Sequence, residues 1–203
     1  PEVQEYVIKH GWKDEEVEKL ANYIKKNNLM KVIITERRVV AKDNEDNTFI
    51  SRLQRIPNKE SYDIVIVFGG INDWIQSTPR EDFQNAVESF YDYLVTNFVS
   101  ARIMIATPLQ AYDTGNGFGS GANLQGLFQT EYADMIKEVA RKYTIPVLDL
   151  SVMGGFSVHN KSFRDVWSFA PGGGTSHDGV HPNKEWCEKF LSTLFKRFII
   201  NHI

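Results

Sequence analysis

Apolar positions along the 203 residues switch between two periods, and the switching sorts the chain into strands and helices. Residues 62–68, Tyr-Asp-Ile-Val-Ile-Val-Phe, make the strongest apolar run and predict a strand buried on both faces. Residues 31–35, 101–107 and 145–150 predict three more strands. Val3, Tyr6, Val7 and His10 fall at helical spacing and stop at Gly11, which predicts a helix over residues 1–10. Residues 14–27 predict a second helix, with acids in the first turn and lysines in the last, as the helix dipole prefers. A short helix over 47–55 follows, then an amphipathic one over 79–98, where Phe83, Val87, Phe90, Leu94 and Phe98 form a stripe suited to covering a sheet. Helices over 130–143 and 184–199 complete the series. Strands alternating with helices predict an α/β fold with a parallel sheet.

Two stretches break this rhythm. Residues 108–128 contain Gly115, Gly117, Gly119, Gly121 and Gly126, and residues 151–179 contain Gly154, Gly155 and Gly172-Gly173-Gly174. Loops of this length serve either as a substrate lid or binding surface or as plain surface connection, and both readings stay open. No repeat or low-complexity tract divides the chain, so residues 1–203 are expected to form a single domain.

Composition narrows the function classes. The 23 Lys and Arg are scattered and the net charge is −3, against the concentrated basic face that nucleic-acid binding needs. A lone Cys187 excludes an intramolecular disulfide and a Cys-rich metal site, and leaves the compartment open. No apolar run approaches a membrane span. The chain opens at Pro1 without an initiator Met or a signal-peptide pattern, which points to processing or trimming and a true N-terminus upstream.

Candidate chemistry gathers at two motifs. The central strand runs into Gly69-Gly70-Ile71-Asn72-Asp73, placing the Asn72 amide at the carboxyl edge of the sheet, where open α/β folds bind ligands and where an amide can donate to a developing oxyanion. Far downstream, Asp178-Gly-Val-His181-Pro182-Asn183 sets a carboxylate three residues before a histidine. Alone, the first is ordinary strand-exit chemistry, and the second equally serves to cap the next helix. Together they allow Asp178 to orient His181 as a general base beside the Asn72 donor.

These residues resemble the SGNH hydrolases, also called GDSL esterases and lipases. Gly70-Ile71-Asn72-Asp73 resembles the family's third block, whose Asn is an oxyanion-hole donor, and residues 178–183 resemble the fifth, which holds the catalytic Asp and His. Residues 41–52 resemble the stretch that follows the second block in many bacterial members, and the likeness extends from about residue 29 to the end. The resemblance implies a flavodoxin-like three-layer α/β/α fold and a cofactor-free acyl transfer on an ester, such as an acetylated carbohydrate or a short-chain lipid. It implies catalytic roles for His181, Asp178 and Asn72, with Gly70 and Asp73 at the substrate.

Two family features are absent from the sequence. No Gly-Asp-Ser occurs, so no residue stands as the serine nucleophile, and Thr35-Glu36-Arg37-Arg38 occupies the second block without its Gly. A flavodoxin-like order of 2-1-3-4-5 puts the first strand mid-sheet. With four strands read, the first lies upstream of Pro1, or residues 5–9 replace it and His10-Gly11-Trp12 takes the nucleophile turn. Ser176, Thr175, Ser51 and Ser120 read as turn formers rather than substitute nucleophiles. His10, His159, His177 and His202 read as surface or locally bonded. A metal site from His177, Asp178 and His181 lacks a distant ligand, so no metal is expected. An ester hydrolase and a non-catalytic domain of the same fold, binding a glycan or protein partner, therefore both remain.

Overall fold

The computed structural model describes residues 48–170 and 177–202, and the backbone of residues 6–7 and 32–37. Its described elements run β1 (Tyr6–Val7), β2 (Val32–Arg37), α1 (Phe49–Gln54), β3 (Ile64–Gly69), α2 (Ile71–Ile75), α3 (Arg80–Asn97), β4 (Arg102–Ala106), α4 (Gln129–Lys142), β5 (Val147–Leu148), α5 (Leu150–Met153), α6 (Lys161–Trp167), α7 (Lys184–Trp186), a π turn (Cys187–Leu191) and α8 (Ser192–Ile200).

All strand pairs are parallel, in the order β1-β2-β3-β4-β5. Successive β3 side chains point to opposite faces. Val65 and Val67 enter one core with Phe49, Leu53, Phe83, Val87, Phe90, Leu94, Ile136 and Val139. Ile64, Ile66 and Phe68 enter the other with Met104, Trp186, Leu191, Phe195, Phe198 and Ile199. Helices α1, α3 and α4 thus cover one face and the C-terminal helices the other, giving three α/β/α layers. The α3 stripe Phe83, Val87, Phe90, Leu94 and Phe98 is buried to 2 % exposure or less, each side chain contributing on the order of 1.5–3 kcal/mol.

Several expectations need correction. The helix over residues 1–10 is contradicted at Tyr6–Val7, which pairs as a strand with Ile33 and Ile34. An aromatic followed by a β-branched residue suits a pleated edge, and two residues satisfy either period. The alternative strand over residues 5–9 is thus met at Tyr6–Val7, but among the described strands it lies at the sheet edge rather than in the middle, because β2 fills the place beside β3 with six register pairs from Val32↔Ile64 to Arg37↔Gly69. Thr35, Glu36 and Arg37 consequently belong to a strand. The last strand is shorter than residues 145–150, since Asp149 turns to side-chain partners and Leu150 opens α5. Residues 151–179 are no plain loop, for they carry α5 and α6. The helix expected over 14–27, along with His10-Gly11-Trp12, lies outside the described residues.

The C-terminal apolar face shows how local geometry answers an irregular spacing. Trp186 and Leu191 are five residues apart, one more than an α-helical turn aligns, and the π turn Cys187–Leu191 takes up the extra residue. Beyond it Leu191, Phe195, Phe198 and Ile199 return to helical spacing and stay on the sheet.

Candidate active site

Strand β3 delivers its end to a glycine that nothing else can replace without strain. Gly70 sits at φ +110°, and a Cβ there would lie 3.0 Å from Ile136 Cδ1 and 3.5 Å from Phe83 Cζ. This left-handed residue is the N-cap of α2, so Asn72 stands in the first turn of a short helix and is half-buried. Asp73 is placed inside the protein at 1 % exposure, as is Trp74 beside it.

The second motif forms a closed turn. Asp178 Oδ1 accepts the Val180 and His181 backbone N–H groups, both at 2.9 Å, and Oδ2 accepts the ring N–H of His181 Nδ1 at 2.8 Å. Burial alone would raise the Asp178 carboxyl; the His181 ring bond and the two backbone bonds outweigh it and hold the group below the ordinary carboxylate range. With the Nδ1 proton committed to the carboxylate, His181 Nε2 is left as the acceptor, on a side chain 64 % exposed. Backbone bonds hold the turn: Phe169 N–H donates to His181 O, Asp178 N–H to Phe169 O and Asn183 N–H to Trp167 O. Asn183 Oδ1 then accepts Trp186 N–H and starts α7.

Asp178 and His181 are thus brought together directly, while Asn72 reaches the same end of the sheet through residues 108–128. Tyr112 N–H donates to Gly179 O at 2.8 Å on one side. On the other, Asn116 Nδ2 donates to Ile75 O at 3.3 Å and Trp74 Nε1 to Leu127 O at 3.2 Å. Three side chains that the sequence reading did not single out stiffen this stretch. Asn123, buried, donates to Trp74 O and Tyr132 Oη and accepts from Gln125 and Leu127 N–H, filling all four of its bonds. Gln129 pairs with both backbone groups of Ala111, as a neighbouring strand would. Asp113 accepts Gly115 and Asn116 N–H. The Asp113-x-Gly115 and Asn123-x-Gln125 spacings, typical of side chains that bond two residues ahead, were the available signal.

The other candidates disperse. Ser51 Oγ donates to the carbonyl of Thr48, the residue that caps α1, His177 Nδ1 donates to Ser168 O and His202 Nδ1 to Phe198 O. Ser120, by contrast, meets His159 at 2.9 Å. Thr175 and Ser176 lie outside the described residues. Among the described residues no group of three or more His, Cys, Asp or Glu is arranged to hold a metal ion, and no helix is long and apolar enough to cross a membrane.

Comparison with known proteins agrees with this fold. The model of the GDSL-like lipase/acylhydrolase family matches residues 27–186. A crystal structure of a Lactobacillus plantarum protein superposes with a TM-score of 0.69 at 21% identity, over 86% of this chain and 80% of that one. A GDSL-like lipase from Bacteroides thetaiotaomicron gives 0.53 at 16% identity, over 94% and 84%. The native M. smegmatis aryl esterase gives 0.54 at 15% identity, over 85% and 80%. At these identities the likeness is one of fold. None of the curated proteins compared matches the chain.

Proposed function

Because the chain belongs to the GDSL-like lipase/acylhydrolase family, a family of ester-type hydrolases, we propose that it hydrolyses a carboxylic ester with His181 as the base. The observation that carries the reading is the Asp178 turn. One carboxylate oxygen is saturated by backbone N–H groups and the other holds the His181 Nδ1 proton, which leaves Nε2 to take a proton from an attacking hydroxyl. As that oxygen adds to the ester carbonyl carbon, its proton passes to Nε2, and the imidazolium is stabilised by ionised Asp178. The Asn72 amide donates to the carbonyl oxygen as it becomes an oxyanion. Collapse expels the alcohol, which receives the proton from Nε2; where the attacking hydroxyl is a side chain, water then cleaves the new ester by the same steps and releases the acid. Gly70 fixes the turn that presents Asn72, and Asp73, buried in the first turn of the same helix, stands beside it.

The substrate in this proposal is a small ester, an acetylated carbohydrate or a short-chain lipid, handled by one domain without a cofactor. Hydrolysis of p-nitrophenyl acetate by wild-type protein and by His181→Ala tests it. Wild type is expected to exceed the protein-free background in steady-state turnover and His181→Ala to lose most of that excess, with Asn72→Ala losing on the order of 10²–10³ in rate. Equal rates at background for all three would overturn the catalytic reading. They would favour a domain that binds a glycan or protein partner in the same cleft, a reading supported by the lack of any Gly-Asp-Ser in the sequence.

A further inference from the structure

The two long segments that frame the site meet in a second, separate chain of hydrogen bonds whose direction can be worked out from one end. Gln110 Nε2 donates to the Ser151 carbonyl at 3.1 Å, and a carbonyl can only accept. That fixes the amide, so Gln110 Oε1 faces His159 Nε2 at 3.0 Å and must receive its proton. His159 Nδ1 is then the bare nitrogen, and Ser120 Oγ–H donates to it at 2.9 Å. A hydroxyl, an imidazole acceptor and a third group fixing the tautomer are the parts that activate a nucleophile.

Ser120 is also held in place. It directly follows the bridge in which Asp113 N–H donates to Gly119 O at 2.7 Å and Gly119 N–H to Asp113 O at 2.9 Å. The Ser120 and Ala122 backbone N–H groups carry no hydrogen bond among the described residues, although Gly121 N–H between them is paired with Phe118 O. Two free amides beside a nucleophile are what an oxyanion needs. Ser120 and Gln110 are half-buried and His159 is exposed, so the site lies at the surface.

We propose that Ser120 is a second acyl-accepting hydroxyl, activated by His159 and distinct from the Asp178–His181 pair, that takes short acyl groups from activated esters. Ser120 Oγ bonds to the acyl carbon as its proton passes to His159 Nδ1. The bond from that carbon to the leaving oxygen breaks, and the departing alcohol carries the proton away. Water then cleaves the Ser120 ester by the same route in reverse, releasing the carboxylic acid. Gln110 is neutral, so it orients His159 without stabilising the imidazolium as a carboxylate would, and turnover is slow enough for the acylated serine to accumulate.

The inference goes beyond the proposed hydrolase and is tested apart from it, in a His181→Ala background. Protein is treated with p-nitrophenyl acetate and the acetylated peptide identified by mass spectrometry. Acetyl is expected on Ser120 and absent in Ser120→Ala. His159→Phe should slow labelling on the order of 100-fold. His159→Gln, which can still hydrogen-bond but cannot act as a base, should match it, separating chemistry from tethering. No acetyl at Ser120, or equal labelling in His159→Gln and its parent, would overturn the assignment.

Discussion

Asn123→Ala removes the buried hub of residues 108–128. The native side chain is 6 % exposed and makes four hydrogen bonds of 3.0–3.2 Å. After truncation the losses are unequal. The Tyr132 hydroxyl keeps its own bond to Thr78 O, and the Gln125 N–H, on an exposed residue, can turn to water. Trp74 O keeps the Ser77 N–H, whereas Leu127 N–H loses its partner with less access to water. At roughly 0.5–1.5 kcal/mol per net bond and about 1–3 for each stranded group, the expected destabilisation is about 2–4 kcal/mol. For a domain of this size that lowers Tm by roughly 5–15 °C. Circular-dichroism melts and urea midpoints at neutral pH measure both quantities. Because Trp74 lies two residues from Asn72, ester hydrolysis should fall with stability. A loss under about 0.5 kcal/mol would refute the claim that this side chain clamps the loop to α2.

Three further outcomes follow. Gly179→Ala, at φ +69° with the new Cβ 2.9 Å from Tyr112 O, should destabilise by about 1–3 kcal/mol and loosen the Asp178–His181 turn, read as a rise in urea sensitivity; an unchanged midpoint would contradict it. Asp149 is raised by burial but lowered further by Lys137, Ser151 and Thr107, so its folded value is depressed and its stabilisation is present above the ordinary carboxylate value of 3.8 and lost as pH falls through the depressed one. Asp149→Asn should therefore flatten the acid limb of a stability-against-pH curve, and a limb parallel to wild type would exclude the network. Tyr91 is fully buried, with ionisation pushed far up by burial, and its hydroxyl has no hydrogen bond among the described residues; Tyr91→Phe should be neutral or stabilising by about 1 kcal/mol in chemical denaturation, and a clear loss would show a hidden partner.

How much the sequence disclosed depended on how local the cause was. Helix α3 was legible nearly to the residue, since burial of one face imposes a periodic stripe: residues 79–98 were expected and Arg80–Asn97 is found. The pairing of Asp178 with His181 was readable because both lie within one turn of chain, and the family pointed to by the two motifs is the family matched. Strand order was not readable. Neighbours in a sheet are chosen by packing across the whole fold, so nothing within Tyr6–Val7 tells an edge from a centre. The clamps on residues 108–128 stayed hidden for a related reason, because Asn123 and Trp74 are separated by 49 residues and a side chain bonded to distant backbone leaves no period. The Ser120–His159 contact joins residues 39 apart and was invisible in the same way.

The π turn at Cys187–Leu191 bears on how this chain should be compared with its relatives. Without one of those residues, Trp186 and the positions now held by Leu191, Phe195, Phe198 and Ile199 would form an unbroken α-helical stripe facing the same core. A relative with a regular helix here is thus one residue shorter, not differently packed. Aligned without a gap, its inward residues would be matched to outward ones along the whole last helix, each displaced by about 100° around the axis. Counting from the C-terminus rather than through the turn keeps equivalent positions in register.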